Sequence, residues 1–365
     1  MTLDLYIARR FSISFLKVFG AFFAVMTLID MIEQIRRFSG HNIGLTQALM
    51  LALLNVPAGL YRILPLLMVL AAITLFLGLA KSSELVVVRA AGRAGLRFLL
   101  APVVTALVIG GFAVAVMNPL VAATSKQYDR QRAVLQGGNG SILSVSAEGI
   151  WLRQGDATGQ TVIHADQMSP DGAGLSGVTF HLFTAEGALR GRIEAAEAVL
   201  NPGAWQLKAA KSWNLDAANP EATAETAAQP LSLPTDLTPA RLTEGLGAPS
   251  ATGFWALSGQ AAALEKAGFS ARGLRLGYQM ELALPLLLAA MVLVAAGFTM
   301  RHARFGKTGQ MVLYALMAGF LIFFIRNFAQ VLGENGQIPI IISAWTPPVA
   351  AILLSVSLLL HLEDG

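Results

Sequence analysis

The chain has 365 residues, of which 55% are apolar and only 13% are Asp, Glu, Lys or Arg. Soluble domains carry about 25% charged residues, so this share and a mean hydropathy of +0.60 exclude an ordinary soluble enzyme and a disordered chain. There is no cysteine, which excludes disulfides and thiolate metal sites. The net charge of +4 hides a split: residues 118–270 carry −4, and the rest carries +8, placed mostly in short loops between apolar runs. Basic loops of this kind face anionic lipid on the cytoplasmic side rather than nucleic acid.

A helix that crosses lipid needs about 20 mostly apolar residues, because its backbone finds no water there. Six runs qualify. The first covers residues 11–32, with Lys17 near its start and Asp30 near its end. Arg9 and Arg10 precede it as the charged residues of a secretion signal would. The run is too long for such a signal and no small-residue cleavage site follows, so it is a retained span. Residues 45–80 are apolar for longer than one span requires, and Pro57, Arg62 and Pro65 interrupt them. This predicts an interfacial helix over 45–59 and a second span over 61–80, with Tyr61 and Arg62 at headgroup level. The third span, 98–120, has no charge. The remaining three are 282–300, 310–332 with Arg326 inside, and 338–360.

Six spans place Arg9 and Arg10, the loop with Lys81, Arg89, Arg93 and Arg97, and the loop with Arg301, Arg304 and Lys307 on one side. By the positive-inside rule that side is the cytoplasm, with both termini in it. Arg36 and Arg37, just past the first span, depart from the rule.

Between spans three and four the pattern changes. Residues 161–165, 178–184, 190–196 and 204–209 are short and partly alternating, separated by Gly, Asn-Pro and Asp turns. That predicts an antiparallel sandwich or barrel on the outer side of the membrane. Residues 216–250, rich in Ala, Thr and Pro, read as a loose connection, and 255–268 as a short amphipathic helix. The predicted fold is an α-helical bundle of six transmembrane helices with an inserted all-β domain. Its parts are 1–120 (spans one to three, with a short coupling helix near 82–92), 121–270 (the β-domain and its connections) and 271–365 (spans four to six).

Catalytic signatures do not accumulate. Gly306-Lys307-Thr308 echoes the end of a phosphate-binding loop, but that motif also needs a glycine where Arg301 stands, and a preceding strand. The five histidines show no metal-ligand spacing. The chain reads as a non-enzyme that binds no cofactor of its own; ATP-driven work requires a separate subunit.

Several motifs, in order and at consistent spacing, carry a resemblance. Leu5-Tyr6-Ile7 stands before the first span, and Ser83-Glu84-Leu85-Val86-Val87-Val88-Arg89-Ala90-Ala91-Gly92 after the second. Gly149-Ile150-Trp151 opens the β-region, and Leu237-Thr238-Pro239 stands near its end. Ile338-Pro339 with Trp345-Thr346-Pro347 begins the last span. Together they resemble the lipopolysaccharide export permeases of Gram-negative bacteria, the LptF/LptG family, and the Ser-Glu-Leu-Val-Val form is nearer to its LptG side. The resemblance implies a jellyroll for the β-domain, placed in the periplasm, and a multi-pass place in the bacterial inner membrane. It implies a permease subunit of an ABC transporter that draws lipopolysaccharide from the outer leaflet and passes it to a periplasmic bridge. The implied partners are an LptF-type permease, two LptB-type ATPase subunits, an LptC-type single-span protein and an LptA-type bridge, with no nucleic acid. Two other classes stay open: a lipoprotein-release or efflux-type permease, which has four spans and an insert after the first, and a membrane scaffold without transport.

Within that resemblance Glu84 is either a helix N-terminal carboxylate favoured by the helix dipole or a contact to a basic residue of the ATPase. Gly92 ends the short helix, as a left-handed cap suits glycine. Arg89 belongs to the coupling segment or to a set of headgroup anchors with Arg93 and Arg97. Arg36 and Arg37 are candidates for the lipid A phosphates, since guanidinium binds phosphate through paired hydrogen bonds. The alternative is a pair of interfacial anchors. Arg130 and Arg132 are candidates for the lipid's exit path, and Arg326 is a candidate as an intramembrane charge. Relatives tend to carry lysine where this chain has Asp30 and Glu281. A carboxylate cannot attract phosphate, and is expected to be solvated or paired with Arg36 or Arg326. Trp151, Phe180, Phe183, Trp205 and Trp213 are core or acyl-chain contacts of the β-domain.

Overall fold

The computed structural model describes residues 2–38, 44–82, 84, 95–135, 143–146, 149–156, 159–169, 173–184, 187–217, 219–227, 231–235, 237, 252–266, 270–300 and 308–363. They form two compact units. The first comprises Met1–Leu135, Gly253–Trp255 and Arg275–Gly365; the second comprises Gln136–Thr252 and Ala256–Leu274.

The helices in chain order are α1 (Thr2–Arg37), α2 (Leu45–Arg62), α3 (Leu64–Lys81), α4 (Gly95–Phe112), α5 (Asn118–Leu135), α6 (Phe254–Lys266), α7 (Arg272–Thr299), α8 (Thr308–Glu334) and α9 (Ile340–Glu363). A π-helical turn, Ala113–Met117, joins α4 to α5. Among the described residues, six stretches are long and apolar enough to cross a membrane: Leu3–Arg37, Leu64–Lys81, Arg97–Arg132, Arg272–Thr299, Gly309–Glu334 and Ile340–His361. Three precede the β-region and three follow it. The third helical run extends to Leu135, so the boundary placed at residue 121 falls inside a helix.

Residues 45–59 form a helix distinct from the span that follows. They are part of α2, which packs along α1 in line with α3. Phe38 meets Leu51 and Tyr128, while Val56, Leu60 and Leu67 pack on Val18, Phe19, Phe23 and Met26. Only Ile63 separates α2 from α3. The reason is length. The 36 residues of α1 rise about 54 Å at 1.5 Å per residue, far beyond a hydrocarbon core of about 30 Å. The surplus apolar side of α1 is covered by the surplus apolar run of 45–62.

α7 is the centre of the first unit: 78% of its most apolar stretch is buried, against 11% for α1 and for α8. Helices come together where side chains vanish. A Cβ on Gly110 of α4 would lie 2.5 Å from the Cα of Pro285 on α7, and one on Gly319 of α8 would lie 2.9 Å from a Val69 methyl on α3.

The second unit holds an antiparallel sheet of β1 (Leu143–Ser146), β2 (Gly149–Asp156), β3 (Gly159–Met168), β4 (Gly174–Thr184), β5 (Leu189–Asn201), β6 (Ala204–Lys208), β7 (Lys211–Asn214), β8 (Glu225–Thr226) and β9 (Leu231–Pro234). Strands β1 to β6 pair in sequence and β9 follows β6. β6 and β7 lie end to end on β5 in one register, with Glu197 opposite Lys208 and Glu194 opposite Lys211.

One face is apolar, but strict alternation fails along a single row. β3 buries Ile163, Ala165 and then Met168; β4 buries Phe180, Val178 and then Leu175; β5 buries Ile193, Ala195 and then Ala198. The residues where the sides switch, Asp166, Gly177 and Ala196, fall at one level of the register across β3, β4 and β5, and Ala209, between β6 and β7, falls at the same level. Gly177 and Ala209 take positive φ there, +61° and +51°. The sheet therefore creases toward its apolar face. Phe180 is paired with Ile193 and Trp205 with Leu200. Those partners are seven residues apart on β5, roughly 23 Å in a flat strand, yet the two rings lie 6.4 Å apart. The far ends meet as well: Thr235 Oγ1 donates to Gln154 Oε1 at 2.6 Å and Gln154 Nε2 donates to the Pro234 carbonyl at 3.4 Å. This closure makes the domain jellyroll-like. Phe180 and Trp205 are core. Trp151 lies on the outer face against His164, and Trp213 lies there under Lys211 and Arg192.

Candidate functional site

Three polar clusters stand out in the helical unit. The first ties the start of α1 to the residues after α3. Glu84 Oε1 accepts from Arg10 Nη1 at 2.6 Å and from Ser82 Oγ at 2.7 Å, and Oε2 accepts from the Tyr6 hydroxyl at 3.2 Å. Arg10 also donates to the Tyr6 oxygen at 2.8 Å. Ser82, then Arg10, hold the Glu84 carboxyl below its ordinary range. Glu84 is thus more than a dipole-stabilised carboxylate: it is ion-paired within its own chain. Arg89 and Gly92, placed with it by sequence, lie outside the described residues.

The second cluster is at the other end of α1. Glu33 sits between the two arginines, 3.4 Å from Arg36 and 3.6 Å from Arg37. Arg36 is 82% exposed, while Arg37 also reaches the Tyr128 hydroxyl at 3.5 Å. Gln34 is buried and hydrogen-bonded to Tyr128 at 3.0 Å. Asp30 does not pair with Arg36; its oxygens accept from Asn55 at 2.8 Å and from Gln34 at 3.2 Å. Arg130 is exposed on α5. Arg132, one turn past Tyr128, has a buried Nε with no hydrogen-bond partner among the described residues.

The third cluster lies among spans. The Tyr61 hydroxyl donates to Glu281, and the Asn118 side chain hydrogen-bonds both. Arg326 is within electrostatic reach of Glu281 and Tyr61, and it donates to Asn327 Oδ1 at 3.4 Å. Asn118 Oδ1 also accepts from the Phe254 backbone N–H at 2.7 Å, capping α6. Asn118 directly follows the π turn, a feature that often marks functional sites. Glu281 thus takes its hydrogen bonds from Tyr61 and Asn118, with Arg326 in electrostatic range and no ion pair between the two among the described residues.

The structure brings Arg36 and Arg37 together, and puts Arg132 on the helix that carries Tyr128. Sequence reading missed Glu33, although Glu33, Arg36 and Arg37 have the i, i+3 and i+4 spacing of helical ion pairs. It also missed Tyr6, Arg10, Asn55, Asn118 and Tyr128 as cluster members. Apart from Arg10 with Tyr6, their partners lie at least 25 residues away, and no local spacing announces them.

Three spans, a creased antiparallel β-domain and three more spans define the architecture, and a family comparison decides its class. The family model of the lipopolysaccharide export system permease LptF/LptG matches residues 5–361. The chain belongs to this family. Two relatives share its full length. The lipopolysaccharide export system permease protein LptG of Escherichia coli (strain K12) is 24% identical over 361 residues, which cover 98% of each chain. The LptG of Escherichia coli O6:H1 (strain CFT073) gives the same identity and coverage. As an LptF/LptG family member the chain is a permease component, not a catalyst. The efflux-type arrangement, with an insert after the first of four spans, is overturned by the three spans that precede the β-domain.

Proposed function

We propose that this chain is an LptG-like permease subunit of an ATP-driven exporter of lipopolysaccharide. The observation that carries the reading is the family match from residue 5 to residue 361, which takes in spans and β-domain together. In this reading the chain lies in the bacterial inner membrane with both termini in the cytoplasm and the β-domain in the periplasm. It pairs with an LptF-type permease, and two LptB-type ATPase subunits hydrolyse the ATP. An LptC-type protein joins them, and an LptA-type bridge receives the lipid. The chain itself holds no cofactor. Glu84, with Arg89 and Gly92, serves the ATPase contact. Arg36 and Arg37 bind lipid A phosphate, and Arg130, Arg132 and Arg326 line the lipid's route. Glu33 tempers the first pair, since one carboxylate lies between two guanidinium groups.

Purification in mild detergent, with mass spectrometry of the accompanying chains, should recover a second permease and an ATPase. Photo-crosslinking to lipopolysaccharide from position 32, an exposed site one turn before Arg36, tests the lipid site. Arg36→Glu with Arg37→Glu should abolish the adduct, and Glu33→Gln should raise it severalfold, because it removes the competing anion. Equal adduct yields in all three proteins would contradict the lipid site.

A further inference from the structure

Among the described residues, Glu84 keeps one acceptor position open. An ionised carboxylate offers about four acceptor positions. Two on Oε1 are taken by Arg10 and Ser82 and one on Oε2 by Tyr6, while the side chain remains 34% exposed. α1, which supplies Tyr6 and Arg10, is the least enclosed span together with α8. Its most apolar stretch is open, whereas Ile7, Phe11 and Phe15 at its foot are buried, so the start of α1 moves together with what it packs on. Charge-assisted hydrogen bonds of 2.6–2.8 Å are short and strong, and here they join residues 74 positions apart in sequence.

We propose that Tyr6 and Arg10 are positioning residues that make Glu84 a bridging carboxylate. One edge is fixed to the foot of α1, and the other is left open to a basic group of the ATPase. Displacement of the segment after α3 is then passed straight to α1 through the Arg10–Glu84 pair, alongside the covalent path through α3. The proposal rests on the reading that an ATPase docks at Glu84. Ser82, two residues earlier, orients the carboxylate but transmits nothing to α1. Tyr6 keeps the guanidinium aligned: Arg10 donates to its oxygen, and the guanidinium carbon lies 5.8 Å from its ring centre.

The test uses the full chain, assembled in nanodiscs with its partner permease and a cysteine-free ATPase. The chain has no cysteine of its own, so spin labels at Ile32→Cys on α1 and Val331→Cys on α8 report without background. In the otherwise unmutated chain and in Arg10→Lys, a non-hydrolysable ATP analogue should shift the distance between the labels. In Arg10→Ala and Arg10→Gln the shift should fall by more than half, while the ATPase copurifies undiminished because the open edge of Glu84 remains. Tyr6→Phe should give an intermediate shift. Glu84→Ala should lose both the shift and the ATPase. A full shift in Arg10→Ala and Arg10→Gln would overturn the proposal. So would loss of the ATPase in those variants, which would place Arg10 in docking alone. Failure of the unmutated assembly to hold an ATPase would contradict the underlying reading, an outcome distinct from both.

Discussion

Gly110 shows how closely two spans depend on one missing methyl group. A Cβ there would come within 2.5 Å of the Pro285 backbone, whereas one on the neighbouring Gly111 would meet nothing within 4 Å. Gly110→Ala must therefore push α4 from α7, at a cost of about 1–3 kcal/mol for overpacking. Thermal unfolding in detergent should show a lower Tm for Gly110→Ala and an unchanged or slightly raised one for Gly111→Ala. Equal behaviour of the two would contradict the crossing. A second residue-scale prediction concerns pH. Hydrogen bonds from Ser82 and Arg10, together with the Arg10 charge, lower the Glu84 carboxyl in the folded protein. A lowered carboxyl contributes stability that is present above its unfolded value and lost as pH falls through the folded one. The Tm difference between the native chain and Glu84→Gln should thus persist from pH 7 to pH 5.5 and shrink only as pH falls below the ordinary carboxylate range. A difference that vanished by pH 6 would show that Glu84 is not held in this way. At this scale little was legible from sequence. Glu33 could have been paired with Arg36 and Arg37 by helical spacing, but Arg10 with Glu84, Asn55 with Asp30 and Asn118 with Glu281 meet only through the tertiary fold.

The elements themselves were far more legible, because each span must satisfy its backbone alone and so writes its full length in apolar residues. All six runs correspond to helices. The break between 45–59 and the span after it is present, at Ile63; what was not legible is that α1 is the surface this helix packs on. Composition cannot tell an apolar helix lying on a membrane from one lying on α1, and only the 36-residue length of α1 hints that a partner is needed. The β-domain was legible as short strands but not as a creased sheet. The switch of sides at Asp166, Gly177, Ala196 and Ala209 reads as noise in any single strand and becomes a line only when the registers are known. The crease makes its own prediction. Ala209 carries φ +51°, a conformation that costs a non-glycine residue roughly 1–2 kcal/mol. Ala209→Gly should raise the Tm of the β-domain despite glycine's greater freedom when unfolded. Gly177→Val should lower it, since a Cβ would meet the Asp166 side chain at 2.2 Å. If Gly177→Val leaves the unfolding of the domain unchanged, the crease does not depend on that residue.

For the whole molecule, α7 is the most buried span, while the most apolar stretches of α1 and α8 are only 11% buried. A chain built this way leaves two spans with apolar surface turned outward, toward lipid or neighbouring helices. The ends of α1 carry the two clusters that matter most to the account: Glu84 with Tyr6 and Arg10 at the start, and Arg36 and Arg37 with Glu33 at the finish. One helix thereby links the candidate coupling site to the candidate lipid site. The most direct test of the central claim is ATP-dependent transfer of lipopolysaccharide from proteoliposomes that hold this chain, its partner permease and the ATPase. The account predicts transfer to a soluble periplasmic acceptor with ATP, almost none when this chain carries Glu84→Ala, and none when the chain is omitted. Hydrolysis of ATP with no movement of lipopolysaccharide, or transfer that proceeds equally without this chain, would contradict it.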